Sequence, residues 1–257
     1  MSMAELLAPP DWRTVDFISD LHLQGSEVST FDAWRLYMQS TPADAVFILG
    51  DLFEVWVGDD VLQAANFEAQ CAQVVRETSA RVPTFFMHGN RDFLVGNVLM
   101  NACKCTLLAD PTVLVFNEQR WLLSHGDALC IADTAYMAFR QQVRSKAWQE
   151  MFLAKPLAER QTIARGLRQQ SEAAKKSVTK YADVDAVLAT AWLRAANAST
   201  LIHGHTHKPR EHELGNGLQR VVLSDWDAAA SPPRAEVLRL TAGSLQRIAL
   251  LASRAGL

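Results

Sequence analysis

The chain has 257 residues, 49% of them hydrophobic and 21% charged, with a formal net charge of −3. That is ample globular sequence for a substantial core, and the charge supplies no basic field to attract nucleic acid. No apolar run reaches the roughly 18 residues of a spanning helix, and the N-terminal MSMAELLAPPDWR has no basic stretch followed by an apolar one, so a cytoplasmic protein is expected.

Short apolar runs recur along the chain, and each ends in polar residues able to do chemistry. VDFISD (15–20) leads into Asp20 and His22, and AVFILGD (45–51) into Asp51. PTFFMHGNRD (83–92) leads to Asn90, RWLLSHGD (120–127) to His125, and TLIHGHTH (200–207) to His205 and His207. Runs of four to eight residues rich in Val, Ile, Phe and Leu and followed by Gly predict buried strands. Segments of helical length at 29–39 and 61–80 separate the first three, giving a β-α-β-α-β opening. From 133 to 197 the composition turns to Ala, Gln, Lys, Arg and Leu without strand signals, which predicts helices, with a break at Pro156. RVVLSDW (220–226), AEVLRLTA (235–242) and SLQRIALLA (244–252) then predict closely spaced strands that complete a sandwich as a second sheet. One domain, 1–257, with a helical insertion at about 133–180 is expected. Cys71, Cys103, Cys105 and Cys130 are too few and too scattered for a disulfide framework and read as reduced structural thiols.

Ligand sites of α/β sheets form beyond the carboxyl ends of strands, where loops bring distant residues together. Five such ends supply Asp20, His22, Asp51, Asn90, His125, His205 and His207. This oxygen and imidazole inventory without thiolate suits Mn²⁺, Fe²⁺, Mg²⁺ or Zn²⁺. Seven ligands are too many for one ion that must also hold substrate and water, whereas two ions sharing one carboxylate use them all. Any one of these motifs alone is ordinary turn chemistry; the ordered series, each member after an apolar run, is what points to a site. His88, His203 and His212 have no place in the set and read as structural or supporting groups.

DLH, GDLFE, HGNRD, SHGD and HGHTH in this order resemble the calcineurin-like metallophosphoesterase superfamily. The resemblance implies an α/β, four-layer αββα sandwich with two metals in its cleft. It assigns one metal to Asp20, His22, Asp51 and His207 and the other to Asp51, Asn90, His125 and His205, with Asp51 bridging. Where most of the superfamily reads GNH, this chain has Gly89-Asn90-Arg91. Arg91 cannot supply a proton at neutral pH, but its planar fork suits a phosphate oxygen.

With GDLFEVWVGDD (50–60), HGNRDFLVG (88–96) and HGDALCIADTAYMAFR (125–140), the chain is similar to the superfamily's UDP-2,3-diacylglucosamine diphosphatases. That similarity implies an Mn²⁺-dependent enzyme of lipid A synthesis at the cytoplasmic face of the inner membrane; a monomer is expected because the sequence shows no identifiable dimer surface, and no nucleic-acid partner is expected from the charge. It would release UMP and 2,3-diacylglucosamine 1-phosphate. Asp51, Asn90, Arg91 and His125 would be catalytic, and Asn90, Arg91, Asp133, Ser171, Lys175 or Lys176, and His205 would meet substrate. A generic phosphodiesterase or phosphatase is the alternative activity. Trp148, Met151, Phe152, Leu153 and Leu157 either pack against the sandwich or line an acyl-chain cleft. The nearby Arg140, Arg144, Lys146, Lys155, Arg160, Arg165 and Arg168 either attract anionic lipid or form a solvated helical face.

Overall fold

The computed structural model describes residues 3–177 and 182–251, with side chains outside 170–177. Strands β2 (Thr14–Ile18), β3 (Ala45–Leu49) and β4 (Thr84–Met87) run parallel, with Phe17 opposite Phe47 and Phe47 opposite Phe85. β3 and β4 lack polar alternation because both faces are covered, whereas β2 carries the buried Asp16. Val15, Phe17, Phe47 and Phe85 point to the second sheet, where they meet Leu114, Leu123, Ile202 and Val221. Ile18, Val46, Ile48 and Phe86 point the other way, onto Trp34, Met38, Val74 and Cys103 of three helices, α1 (Val28–Ser40), α2 (Phe67–Ser79) and α3 (Asn97–Cys103).

The second sheet contains β1 (Ala4–Leu7), β6 (Thr112–Phe116), β7 (Gln119–Ser124), β8 (Thr200–His203), β9 (Glu211–Gly215) and β10 (Leu218–Val222), in the order β1-β6-β7-β8-β10-β9. Its outer face is closed by α7 (Ala186–Ala196), whose Ala189 and Leu193 pack on Val113, Leu122 and Leu201. The result is the expected αββα layering. Between β7 and α7 lie α4 (Thr134–Val143), α5 (Lys146–Leu153) and α6 (Leu157–Ser177), and α6 starts directly after Pro156. The four cysteines are free and buried.

Two expectations need correction. Strands β11 (Glu236–Thr241) and β12 (Leu245–Ala249) do not complete the second sheet; they extend the first, in the order β12-β11-β2-β3-β4-β5, with β5 spanning Thr106–Leu108. The cause is a buried charge. Arg239 on β11 grips Asp16 on β2 through Nε at 2.7 Å and Nη2 at 2.8 Å, while Tyr37 and Thr41 complete the carboxylate's partners. A buried carboxylate needs such a cation and such donors. The second correction is at 61–80, where a 3₁₀ turn (Asp59–Gln63) precedes α2 and Asn66 caps the helix, accepting from Ala69 N at 2.9 Å. Strands β1, β5, β6 and β9 and helix α3 were not anticipated.

Candidate metal centre

All five strand ends open into one cleft, because β2, β3 and β4 on one sheet and β7 and β8 on the other present their carboxyl ends to the same side. The loops are laced together by backbone bonds: Asp20 N donates to Gly50 O at 3.1 Å, His22 N to Asp51 O at 3.0 Å and Gly204 N to His125 O at 3.0 Å. Asp20, His22, Asp51, His205 and His207 all have positive φ, between 48° and 67°. Five non-glycine residues in this sparsely used region, all in one cleft, represent strain that the surrounding packing must overcome. Close approach adds a further demand. A Cβ on Gly89 would overlap Asp51 Oδ1 and its backbone nitrogen, and one on Gly204 would overlap Ser19 Oγ and Asp20 Oδ2.

The seven expected donors come together in two groups. In one, His207 Nε2 lies 3.4 Å from His22 Nε2 and 3.2 Å from Asp20 Oδ1. In the other, Asn90 Oδ1 lies 3.1 Å from His125 Nε2 and 2.8 Å from His205 Nδ1. Between them stands Asp51, whose Oδ2 is 3.9 Å from His22 Nε2 and 3.8 Å from His125 Nε2. Its other oxygen is occupied, accepting from Arg91 N at 2.8 Å. His125 Nδ1 donates to Leu49 O at 2.9 Å, which leaves Nε2 directed at the cluster.

The electrostatics call for positive charge. Burial works against protonating His125, but Asp51, Asp20 and Asp127 outweigh it and raise its pKa to about 9. Burial likewise opposes ionisation of Asp20, yet the bond from His207 and the charges of three histidines hold its carboxyl far below the usual range. Burial, then the charge of His125, lowers His205 to about 3, so it stays neutral and able to ligate. Four imidazoles, two carboxylates and an amide oxygen in range of one another form a donor set for divalent cations of intermediate hardness. The residues present therefore fit the metals that the sequence implied.

Other expected residues are placed less directly. The guanidinium of Arg91 sits at the rim, Nη1 3.7 Å from Glu54 Oε1. Asp133 is exposed and caps α4, accepting from Tyr136 N at 2.9 Å. Ser171, Lys175 and Lys176 fall on the last turns of α6, where side chains lie outside the described residues. His88, His203 and His212 stand apart from the cluster, as expected; burial lowers His203 to about 4, and its Nδ1 donates to Gly204 O at 2.8 Å.

The apolar group of α5 and α6 divides. Phe152 is buried, Trp148 stacks on it at 4.7 Å, and Leu157 packs on the same core, whereas Met151 and Leu153 remain 60% and 42% exposed. Of the seven basic residues nearby, four turn inward, while Lys146 and Arg165 stay exposed. Arg140 binds Asp127, Arg144 donates to Gly89 O, Arg160 is buried against Asp60 and Val57 O, and Arg168 reaches Glu54.

Sequence reasoning missed three acids. Asp92 takes Leu52 N and Gly89 N at 2.8 Å each, tying two ligand loops together, and burial with the neighbouring Asp51 raises it to about 7. Asp127 holds Tyr136 and Arg140, and Glu54 Oε2 lies 3.1 Å from His22 Nδ1. The available signal was proximity: Asp92 and Asp127 each stand two residues beyond a candidate ligand. Among the described residues no helix is long and apolar enough to cross a membrane.

A mixed α/β sandwich with this cleft defines a metal-dependent phosphoesterase. Residues 13–209 match the calcineurin-like phosphoesterase family model, and the chain belongs to that family. Among curated proteins it is 43% identical over 221 residues to a UDP-2,3-diacylglucosamine hydrolase of Chromobacterium violaceum, covering 82% of this chain and 90% of that one. It is 41% identical over 244 residues to the enzyme of that name from Ralstonia nicotianae, covering 90% of each, and 41% over 220 residues to that of Chromohalobacter salexigens, covering 83% and 89%. An archaeal phosphodiesterase of known structure aligns with a TM-score of 0.45 at 11% identity, over 92% of this chain and 99% of that one.

Proposed function

We propose that this chain hydrolyses the diphosphate of UDP-2,3-diacylglucosamine, giving UMP and 2,3-diacylglucosamine 1-phosphate, with two Mn²⁺ ions as cofactors. The observation that carries the reading is Asp51 Oδ2, nearly equidistant from His22 Nε2 and His125 Nε2 with a donor group on either side. Asp20, His22, Asp51 and His207 would hold one ion, and Asp51, Asn90, His125 and His205 the other. When bound, such a pair neutralises phosphate charge and makes hydroxide available near neutral pH.

The chain's own residues do the rest. Asp51 is fixed by the Arg91 backbone, so its free oxygen keeps one direction. Leu49 O holds His125 in the tautomer that turns Nε2 to the substrate side. Arg91 clamps phosphate oxygens with its planar fork and stabilises charge that builds as the water oxygen joins the phosphorus nearer uridine. The bond that breaks joins that phosphorus to the bridging oxygen, which leaves with the sugar phosphate. A phosphate monoester departs as an anion, so the arginine that replaces the superfamily's histidine costs no needed proton. The identity of about 40% to curated hydrolases of this substrate across most of the chain supports the choice of substrate. Asp133, Ser171 and Lys175 or Lys176 are proposed to meet it. The exposed Met151 and Leu153 support contact of the α4–α6 insertion with acyl chains at the inner membrane.

The test is turnover of UDP-2,3-diacylglucosamine by purified protein with Mn²⁺, read as UMP release, beside a chromogenic phosphodiester. Release of UMP that vanishes in His125→Ala and falls steeply in Arg91→Ala is expected. Turnover of the chromogenic ester alone would replace this reading with a generic phosphodiesterase.

A further inference from the structure

Asn90, His125 and His205 come from three separate loops, yet their donor atoms converge within 3.1 Å of the Asn90 oxygen. The feature common to all three loops is α4. Its residues Tyr136, Arg140 and the C-cap Arg144 recur every fourth position and so share one face. All three converge on the fully buried carboxylate of Asp127, two residues beyond His125. Tyr136 Oη donates to Oδ2 at 2.6 Å, Arg140 Nε donates at 2.7 Å, and Arg144 Nη2 lies 3.8 Å away. The same side chains touch the other two loops. The Tyr136 ring lies over His205 at 5.9 Å and 29°, and Arg144 Nη2 donates to Gly89 O, beside Asn90, at 2.8 Å. His22 and His207 are approached by different acids, Glu54 at 3.1 Å and Asp225 at 3.9 Å.

We propose that Asp127 is a positioning residue that, through α4, sets the Asn90–His125–His205 half of the centre, so that one cation depends on it and the other does not. The inference rests on the two-cation reading above. Outer groups that orient metal ligands are typically worth 10- to 100-fold in metal affinity. Asp127→Asn keeps the side-chain shape but loses the charge that holds both arginines. It is expected to weaken one Mn²⁺ by about 10-fold or more and to leave the other within about twofold.

The experiment is calorimetric titration of Mn²⁺ into chelator-stripped full-length wild type, Asp127→Asn, Tyr136→Phe and the double variant. Tyr136→Phe keeps the ring over His205 and removes only the hydroxyl, so it tests the clasp even if Asp127→Asn does not fold. The weakened ion should be the same in both single variants, and the double variant should be no worse than Asp127→Asn, because the Tyr136 hydroxyl acts through the Asp127 carboxylate. A wild type that takes up fewer than two ions defeats the two-cation reading itself. Two ions in wild type with unchanged affinities in the variants, or equal weakening of both ions, overturns the role given to Asp127 alone.

Discussion

Gly89 occupies a position that tolerates no side chain, because a methyl there would collide with the carboxylate and the backbone nitrogen of Asp51 together. A flexible neighbour could swing aside, but a backbone atom already held in a positive-φ turn cannot. Gly89→Ala is therefore expected to destabilise the fold by about 1–3 kcal/mol, read as a lower midpoint in urea unfolding, and to reduce Mn²⁺ affinity in parallel. Gly204→Ala meets side-chain atoms of Ser19 and Asp20 instead, so its larger effect should fall on metal binding. Arg91 separates differently, since its backbone holds Asp51 and its side chain faces the rim. Arg91→Ala leaves the backbone bond in place and should lower kcat on the order of 10²–10³-fold with metal stoichiometry unchanged. Arg91→Lys restores charge without the fork and should recover only part of the loss.

At the level of elements, α6 is pinned by Arg160, which donates to Lys155 O at 2.9 Å and grips Asp60 within the 3₁₀ turn. The hydrogen bond from Arg160 holds the Asp60 carboxyl below its ordinary 3.8. The native state thus binds that proton less readily than the unfolded chain, so the contribution is complete above pH 3.8 and fades as pH falls through the native value. Because Asp60 is 41% exposed, the contribution is modest, about 0.5–1 kcal/mol. Denaturant unfolding should show Asp60→Asn less stable than wild type at pH 6, with the gap closing below pH 3.8. The elements that sequence identified best were those with one strong local signature. The apolar runs of β2, β3, β4, β7 and β8 and the break at Pro156 all stand where the pattern put them. Sheet membership of β11 and β12 was illegible because it depends on Arg239 meeting Asp16, 223 positions away. The inward turn of Arg140, Arg144, Arg160 and Arg168 was hidden for the same reason. Composition shows a charge but not the buried acid that claims it.

For the whole molecule, the seven donors were legible because each follows an apolar run, and parallel strands deliver such ends to one side of a sheet. The braces Asp92, Asp127 and Glu54 were not, since a buried acid that ties loops has the same local sequence as a turn acid. The assembled centre joins both sheets: Asp20, His22, Asp51 and Asn90 leave one, and His125, His205 and His207 leave the other. Cations bound there would cross-link the two halves of the sandwich, and stability should depend on their concentration. A ligand that binds only the native state at 100 times its Kd adds about 2.7 kcal/mol, so two such ions add about 5 kcal/mol. At about 2–4 °C per kcal/mol for a chain near this size, Mn²⁺ should raise the Tm of chelator-treated protein by about 10–20 °C. His207→Ala removes a donor from one group only and should keep about half of that rise, whereas Asp51→Asn, which weakens the shared oxygen, should lose most of it. Scanning fluorimetry with and without Mn²⁺ measures all three, and a wild type whose Tm ignores the metal would mean that the cleft does not bind it.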